Sequence, residues 1–177
     1  PGGFDCGRER PQFHLHVNQG NSNGSCTLMS HESGTGGIPA GNEYDWYQRA
    51  CALLEGGNSA AAAILFQRLR EVDANPSVLE ALGRAQFDAK NYEEAVMVLE
   101  QLVEVSPDND YAHFALGLSF WRLQKFIPAR DHLAMAFVMK PSWSEYGTAL
   151  TQVKSTLRHR VEKGMPLEGP IPGQVDL

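Results

Sequence analysis

Apolar residues recur at helical spacing from Glu43 to about Glu162, interrupted only by short polar breaks. The breaks fall at Gly56-Gly57-Asn58, Asn75-Pro76, Lys90-Asn91, Ser106-Pro107-Asp108, Gln124-Lys125 and Lys140-Pro141. Each carries Gly, Pro, Asn or Asp, or sets a polar pair between two apolar stripes, which is how helices end. The pattern predicts an all-α chain of seven helices, each of about one to two dozen residues. The last begins near Ser142-Trp143-Ser144-Glu145, with Ser142 or Ser144 as the expected N-cap. Tyr146, Leu150, Val153, Leu157 and Val161 form its apolar stripe, while Thr151, Lys154, Ser155, Arg158 and Arg160 form a polar face. One wet and one dry face suit a helix that closes an array, and Arg158-His159-Arg160 is expected to be solvated.

The helices recur as pairs. Ala81-Leu82-Gly83 reappears as Ala115-Leu116-Gly117, so that Gly83 and Gly117 stand 34 residues apart. Tyr92 and Phe126, Ala95 and Ala129, Leu99 and Leu133, Leu102 and Ala136, and Pro107 and Pro141 keep the same offset. A helix pair with this period is the tetratricopeptide signature, and the chain resembles the tetratricopeptide repeat (TPR) proteins, closest to small bacterial ones. Leu116-Gly117, Phe120, Phe126, Ala129, Leu133, Ala136 and Pro141 fill every place of the family pattern. Leu82-Gly83, Tyr92, Ala95, Leu99, Leu102 and Pro107 fill most of it, with Gln86 where an aromatic belongs. Trp46, Ala50, Leu53, Ala62, Phe66 and Leu69 make a degenerate first copy, so the resemblance covers residues 43–141. It implies a right-handed α–α superhelix of about three helix pairs plus a C-terminal capping helix. The small residues Gly83, Gly117, Ala95 and Ala129 then belong where the two helices of a pair cross.

Composition changes this picture mainly at the ends. Residues 1–41 are rich in Gly, Ser and Asn, and only Phe13-His14-Leu15-His16-Val17 alternates. Such a segment cannot offset its ordering entropy and is expected to be flexible. Residues 42–163 form the repeat domain, and residues 164–177, with three glycines and three prolines, are expected to be a disordered tail. No apolar run approaches a membrane span and no basic-led apolar leader opens the segment, so no membrane role is expected. The net charge of -6 argues against non-specific nucleic-acid binding. Cys6, Cys26 and Cys51 are an odd set, read as reduced thiols in the cytoplasm, with Cys51 an ordinary small core residue.

The resemblance also implies where a partner would sit. In TPR proteins the first helix of each pair lines a concave groove. Family register assigns Tyr44, Tyr47, Cys51 and Leu54 to it from the first repeat, and Glu80, Arg84, Phe87 and Asp88 from the second. The third contributes Tyr111, Phe114, Leu118, Trp121 and Arg122. Aromatic and arginine clusters facing solvent have the composition of interface hot spots. The expectation is a scaffold or adaptor that binds a peptide of another protein through Tyr44, Tyr47, Arg84, Phe87, Asp88, Tyr111, Phe114, Leu118, Trp121 and Arg122. Some family members clamp a C-terminal carboxylate with Lys and Asn, but Tyr47 and Cys51 occupy the corresponding first-repeat positions and cannot donate in that way.

Three alternatives remain, the first being that the long tails on either side of the repeats pack against these rings and occupy the groove themselves. Cys6, His14, His16, Cys26 and His31 hold enough ligand atoms for a metal-binding or catalytic module, but lack paired zinc spacings. The exposed rings could instead join two copies in a homodimer. No nucleophile elbow, phosphate loop or zincin helix is present, so no catalytic residues, metal site or cofactor are expected. His113 and His132 read as ordinary helix-surface residues.

Overall fold

Three asparagines at near-repeat spacing, Asn42, Asn75 and Asn109, start the first helix of each pair. Their side-chain oxygens accept from the backbone N–H groups of Asp45 (2.9 Å), Val78 (3.0 Å) and Ala112 (2.9 Å). At Asn42 the Asp45 carboxylate accepts in return from the Asn42 N–H, completing a capping box. The computed structural model describes residues 42–170. Among these it contains seven α-helices and no strand: α1 (Glu43–Glu55), α2 (Ser59–Val72), α3 (Pro76–Asp88), α4 (Tyr92–Val105), α5 (Asp110–Arg122), α6 (Phe126–Met139) and α7 (Ser144–Glu162).

The two helices of each pair are joined by one repeated backbone device. Gly57, Lys90 and Gln124 all adopt positive φ, at 79°, 65° and 58°. The following residue then donates back across the helix end: Asn58 to Leu53 (2.8 Å), Asn91 to Gln86 (2.9 Å) and Lys125 to Phe120 (2.9 Å). These i to i−5 bonds satisfy carbonyls that a helix end leaves open. Only the first copy uses glycine, so the other two turns hold side chains in a region that costs about 1 kcal/mol or more.

Each helix packs on the next, and α1, α3, α5 and α7 also touch in sequence, forming one row with α2, α4 and α6 behind it. This is the expected α-solenoid. Gly83 and Gly117 lie at the crossings within their pairs. A Cβ on Gly83 would stand 2.6 Å from Leu99 Cδ2, and one on Gly117 would stand 2.7 Å from Leu133 Cγ. Ala95 and Ala129, which share those crossings, are fully buried. Polar bonds also tie successive pairs. Asn109 Nδ2 donates to Glu80 (2.8 Å), Lys140 Nζ lies 3.1 Å from the buried Asp110 carboxylate, and the Tyr146 hydroxyl donates to the same carboxylate at 2.7 Å.

The capping helix differs from expectation at both ends. Trp143 is its N-cap and makes no side-chain cap bond, so neither Ser142 nor Ser144 fills that role. Val161, assigned to the apolar stripe, is 65% exposed, and Arg160, assigned to the wet face, is buried. The guanidinium lies 4.6 Å from the Phe126 ring centroid and donates to the carbonyls of Pro166 and Gly169, both at 2.7 Å. Gly169 N–H donates in turn to Gln124 O at 3.0 Å. Residues 164–170 therefore fold back onto the last repeat, where sequence predicted a free tail. A buried guanidinium with an aromatic platform and two carbonyl acceptors fixes them despite their Pro and Gly content. The expectations for residues 1–41 and 171–177 lie outside the described residues.

Candidate functional site: the concave face

Helical periodicity sets Tyr111 and Leu118 within about 20° of one another around α5, with Phe114 and Trp121 beside them. The sequence reading puts this stripe in solvent. It is instead buried: Tyr111 is 3% exposed, Phe114 4% and Leu118 2%. Every residue from Asp110 to Phe120 is buried, so α5 keeps no solvent-facing stripe over that length. Tyr47 and Leu54 of α1 are buried as well. Of the expected groove residues, Tyr44, Asp88 and Arg122 are exposed, while Cys51, Glu80, Arg84, Phe87 and Trp121 are half-buried.

The rings seek neighbours across helices rather than water. Tyr47 meets Phe66 of α2 edge-on, with centroids 5.6 Å apart, and Phe114 packs against Tyr146 of α7 at 4.5 Å. Phe87 meets Tyr92 edge-on at 5.4 Å. None of Tyr44, Tyr47, Phe87, Tyr111 and Phe114 is without a partner. The expected rank of solvent-facing rings is thus corrected at Tyr47, Tyr111 and Phe114, and the aliphatic Leu54 and Leu118 follow them inside. Helical register alone carries no record of the burial of these side chains.

Three of the four charged residues expected on this face, Glu80, Arg84 and Asp88, lie on α3. Arg84 stands 3.7 Å from Asp88, one turn along α3. Desolvation raises the Asp88 carboxyl above its ordinary range, partly offset by Arg84. Burial likewise pushes the Tyr111 phenol above its ordinary value; Arg84 pulls against it while Glu80, Asp88 and Tyr146 add to it. Tyr111 is therefore a neutral phenol here.

Cys51 is disulfide-bonded, which corrects its reading as a free core thiol. The carboxylate-clamp positions thus hold a buried tyrosine and an oxidised cysteine, consistent with the chemistry expected of those residue types.

A second cluster escaped the sequence reading. His113 is buried, and its Nδ1 lies 3.0 Å from Nδ1 of His132. Its Nε2 lies 3.2 Å from the Pro107 carbonyl, an acceptor only, so that nitrogen carries the proton. In the tautomer protonated only at Nε2, the His113 Nδ1 accepts and His132 donates to it. Burial first, and His113 second, hold the His132 pKa below its usual value, opposed by Asp131. The two residues lie on different helices at a separation with no motif value, so no sequence signal marks them. Two imidazoles make no metal site, and no group of three His, Cys, Asp or Glu side chains suited to a metal exists among the described residues. The Cys6, His14, His16, Cys26 and His31 set lies outside them. No helix among the described residues is long and apolar enough to cross a membrane.

Comparison with known proteins agrees with this geometry. Residues 75–124 match a TPR repeat family and residues 47–97 a tetratricopeptide repeat family. Among solved structures, the first TPR of Spaghetti (RPAP3), bound to an HSP90 peptide SRMEEVD, is similar at 17% identity and TM-score 0.63, over 66% of this chain and 93% of that one. MamA from Desulfovibrio magneticus RS-1 is similar at 22% identity and TM-score 0.62, over 70% of this chain and 67% of that one. The second TPR domain of human RPAP3, in complex with an HSP70 peptide SGPTIEEVD, is similar at 19% identity and TM-score 0.59, over 62% of this chain and 92% of that one. At such identities the likeness speaks for the fold. With the 34-residue recurrence, the buried glycine crossings and the paired-helix solenoid, these matches show that residues 47–124 are built of tetratricopeptide repeats.

Proposed function

We propose that this protein is a non-catalytic interaction scaffold whose concave face holds an extended segment of polypeptide. The observation that supports the reading is the row of first helices, α1, α3, α5 and α7, along which Arg84 and Trp121 are half-buried and Arg122 is exposed. The similar RPAP3 domains, whose printed descriptions include bound chaperone peptides, support the same use of the fold. Tyr47 and the oxidised Cys51 leave no clamp for a terminal carboxylate, so the ligand is held by its apolar side chains. Trp121, Phe87, Arg84 and Arg122 at the rim set its register. Trp and Arg are the residue types in which binding energy concentrates.

The test uses peptides selected on the full chain from a displayed library, with Kd measured by fluorescence anisotropy. Phe114 is a poor probe because truncating a buried ring unfolds as readily as it unbinds. Trp121→Ala with Arg122→Ala removes rim groups instead. A loss of at least tenfold in affinity, with helical circular dichroism unchanged, is expected. Equal binding by the double variant defeats the groove reading. A homodimer built through the same rim would appear as twice the mass in light scattering, lost in the double variant.

A further inference from the structure

Helix pairs that share one fold differ in what they turn outward, and the difference singles out α6. Glu93, Gln101 and Glu104 of α4 stand one period before Ile127, Met135 and Val138 of α6. A stripe that is polar on the second pair is therefore apolar on the third, and Met139 extends it. Val138 is 78% exposed, and Ile127, Met135 and Met139 are exposed as well. Since α4 carries glutamate at two of these places, the fold does not demand apolar side chains there. Asp131, the charge amid the stripe, is paired with Arg130 at 2.7 Å. We propose that the outward face of α6 is a self-association surface that seats α6 of a second copy of this chain in a two-fold dimer.

Charge on the two flanks selects the axis. In the back row α4 lies before α6, and α7 packs beyond α6 at the end of the array. Along one stripe α4 exposes Glu93, Glu100 and Glu104. On the other flank α7 exposes Lys154, Arg158 and Lys163. Thr151 and Lys154 follow Gly117 and Phe120 by one period, and those two meet Leu133 and His132 of α6. Among the described residues no further helix stands behind α7, so Lys154 and Arg158 border α6 on the side away from α4. A two-fold axis parallel to α6 exchanges the flanks, and the acidic stripe of each copy then meets the basic face of its partner. An axis across α6 would set carboxylates against carboxylates, which is costly.

A contact of this kind must be complementary to itself. Here both signs of charge and the apolar strip between them lie on one chain, which suits a second copy better than an unrelated partner. The four apolar side chains leave about two whole residues' worth of surface in water, roughly 350 Å², within the range of functional patches. With the charged flanks the contact approaches about 800 Å² per copy, the ordinary size of a specific interface. It uses the back row and leaves α1, α3 and α5 outside it. On the reading proposed above, such a dimer offers two grooves and gains avidity for a partner that carries two binding segments. Self-association itself does not depend on that reading.

Multi-angle light scattering on the full chain, from about 1 to 200 μM, tests this. The mass is expected to rise with concentration to twice that of one chain. Met135→Gln/Val138→Glu restores what α4 carries at these positions and should weaken dimerisation at least tenfold, with helical circular dichroism and urea midpoint unchanged. A chain that stays monomeric throughout overturns the proposal. So does a dimer that this variant leaves intact, including one lost only in Trp121→Ala/Arg122→Ala, which would belong to the groove rim. Glu100→Lys/Glu104→Lys should weaken the dimer at least threefold, and adding Lys154→Glu/Arg158→Glu to it should restore the dimer. Failure of the restoration overturns the axis parallel to α6.

Discussion

Gly117→Ala tests the packing on which the array depends. A methyl at that position would sit 2.7 Å from Leu133 Cγ, 3.0 Å from Leu133 Cδ2 and 3.1 Å from the backbone oxygen of Ala129. Carbon atoms rest at about 3.5–4.0 Å, so the overlap with Leu133 is about 1 Å. Leu133 is fully buried and Ala129 O belongs to the α6 backbone, so relief is expected to require α5 and α6 to separate. Overpacking of this kind costs about 1–3 kcal/mol. Helix propensity acts the other way, because alanine is favoured over glycine by about 0.5–1 kcal/mol. The net expectation is a loss of about 1–2 kcal/mol, read as a lower urea midpoint by circular dichroism. Leu133→Ala alone should cost about 2–5 kcal/mol through its cavity. Combined with Gly117→Ala, it should cost clearly less than the two losses summed, since the new methyl enters the vacated volume. Strict additivity, or a Gly117→Ala protein stabilised by its full propensity gain, refutes the reasoning.

Other expectations follow from single contacts. Gln124→Gly relieves a positive-φ residue at the third turn and should raise stability by about 0.5 kcal/mol after glycine's unfolded-state entropy is counted; a lower urea midpoint counts against the strain. Tyr146→Phe removes the hydroxyl donated to the buried Asp110 carboxylate and should cost about 1.5–3 kcal/mol, whereas a change under about 0.5 kcal/mol would mean the bond contributes nothing net. The His132 pKa is lowered in the fold, so its contribution is complete above the unfolded value of 6.5 and is lost as pH falls through the folded pKa. The urea midpoint should therefore drop between pH 7.5 and pH 5, and His132→Gln should flatten that slope. Asp88 acts with the opposite sign, because its raised pKa favours the protonated fold.

The linear sequence was enough to place all seven helices, their breaks and their pairing. Each of these is set locally, by Asn caps such as Asn75 and Asn109, by polar turn pairs such as Lys90-Asn91, and by apolar residues at helical spacing. The glycine crossings were legible too, because Gly83 and Gly117 recur at the repeat period and nothing larger fits between helices that close. What it could not decide was burial among the residues expected to line a groove. Whether Tyr111 and Leu118 meet water depends on what packs against them in three dimensions, and helical spacing carries no record of that. The same holds for Arg160, which reads as a wet residue until Phe126, Pro166 and Gly169 surround it. His113 and His132 read as surface residues until α5 and α6 bring two imidazoles to 3.0 Å. Local periodicity determines where each helix runs; contacts between residues distant in sequence determine which of its polar and aromatic groups are left for a partner.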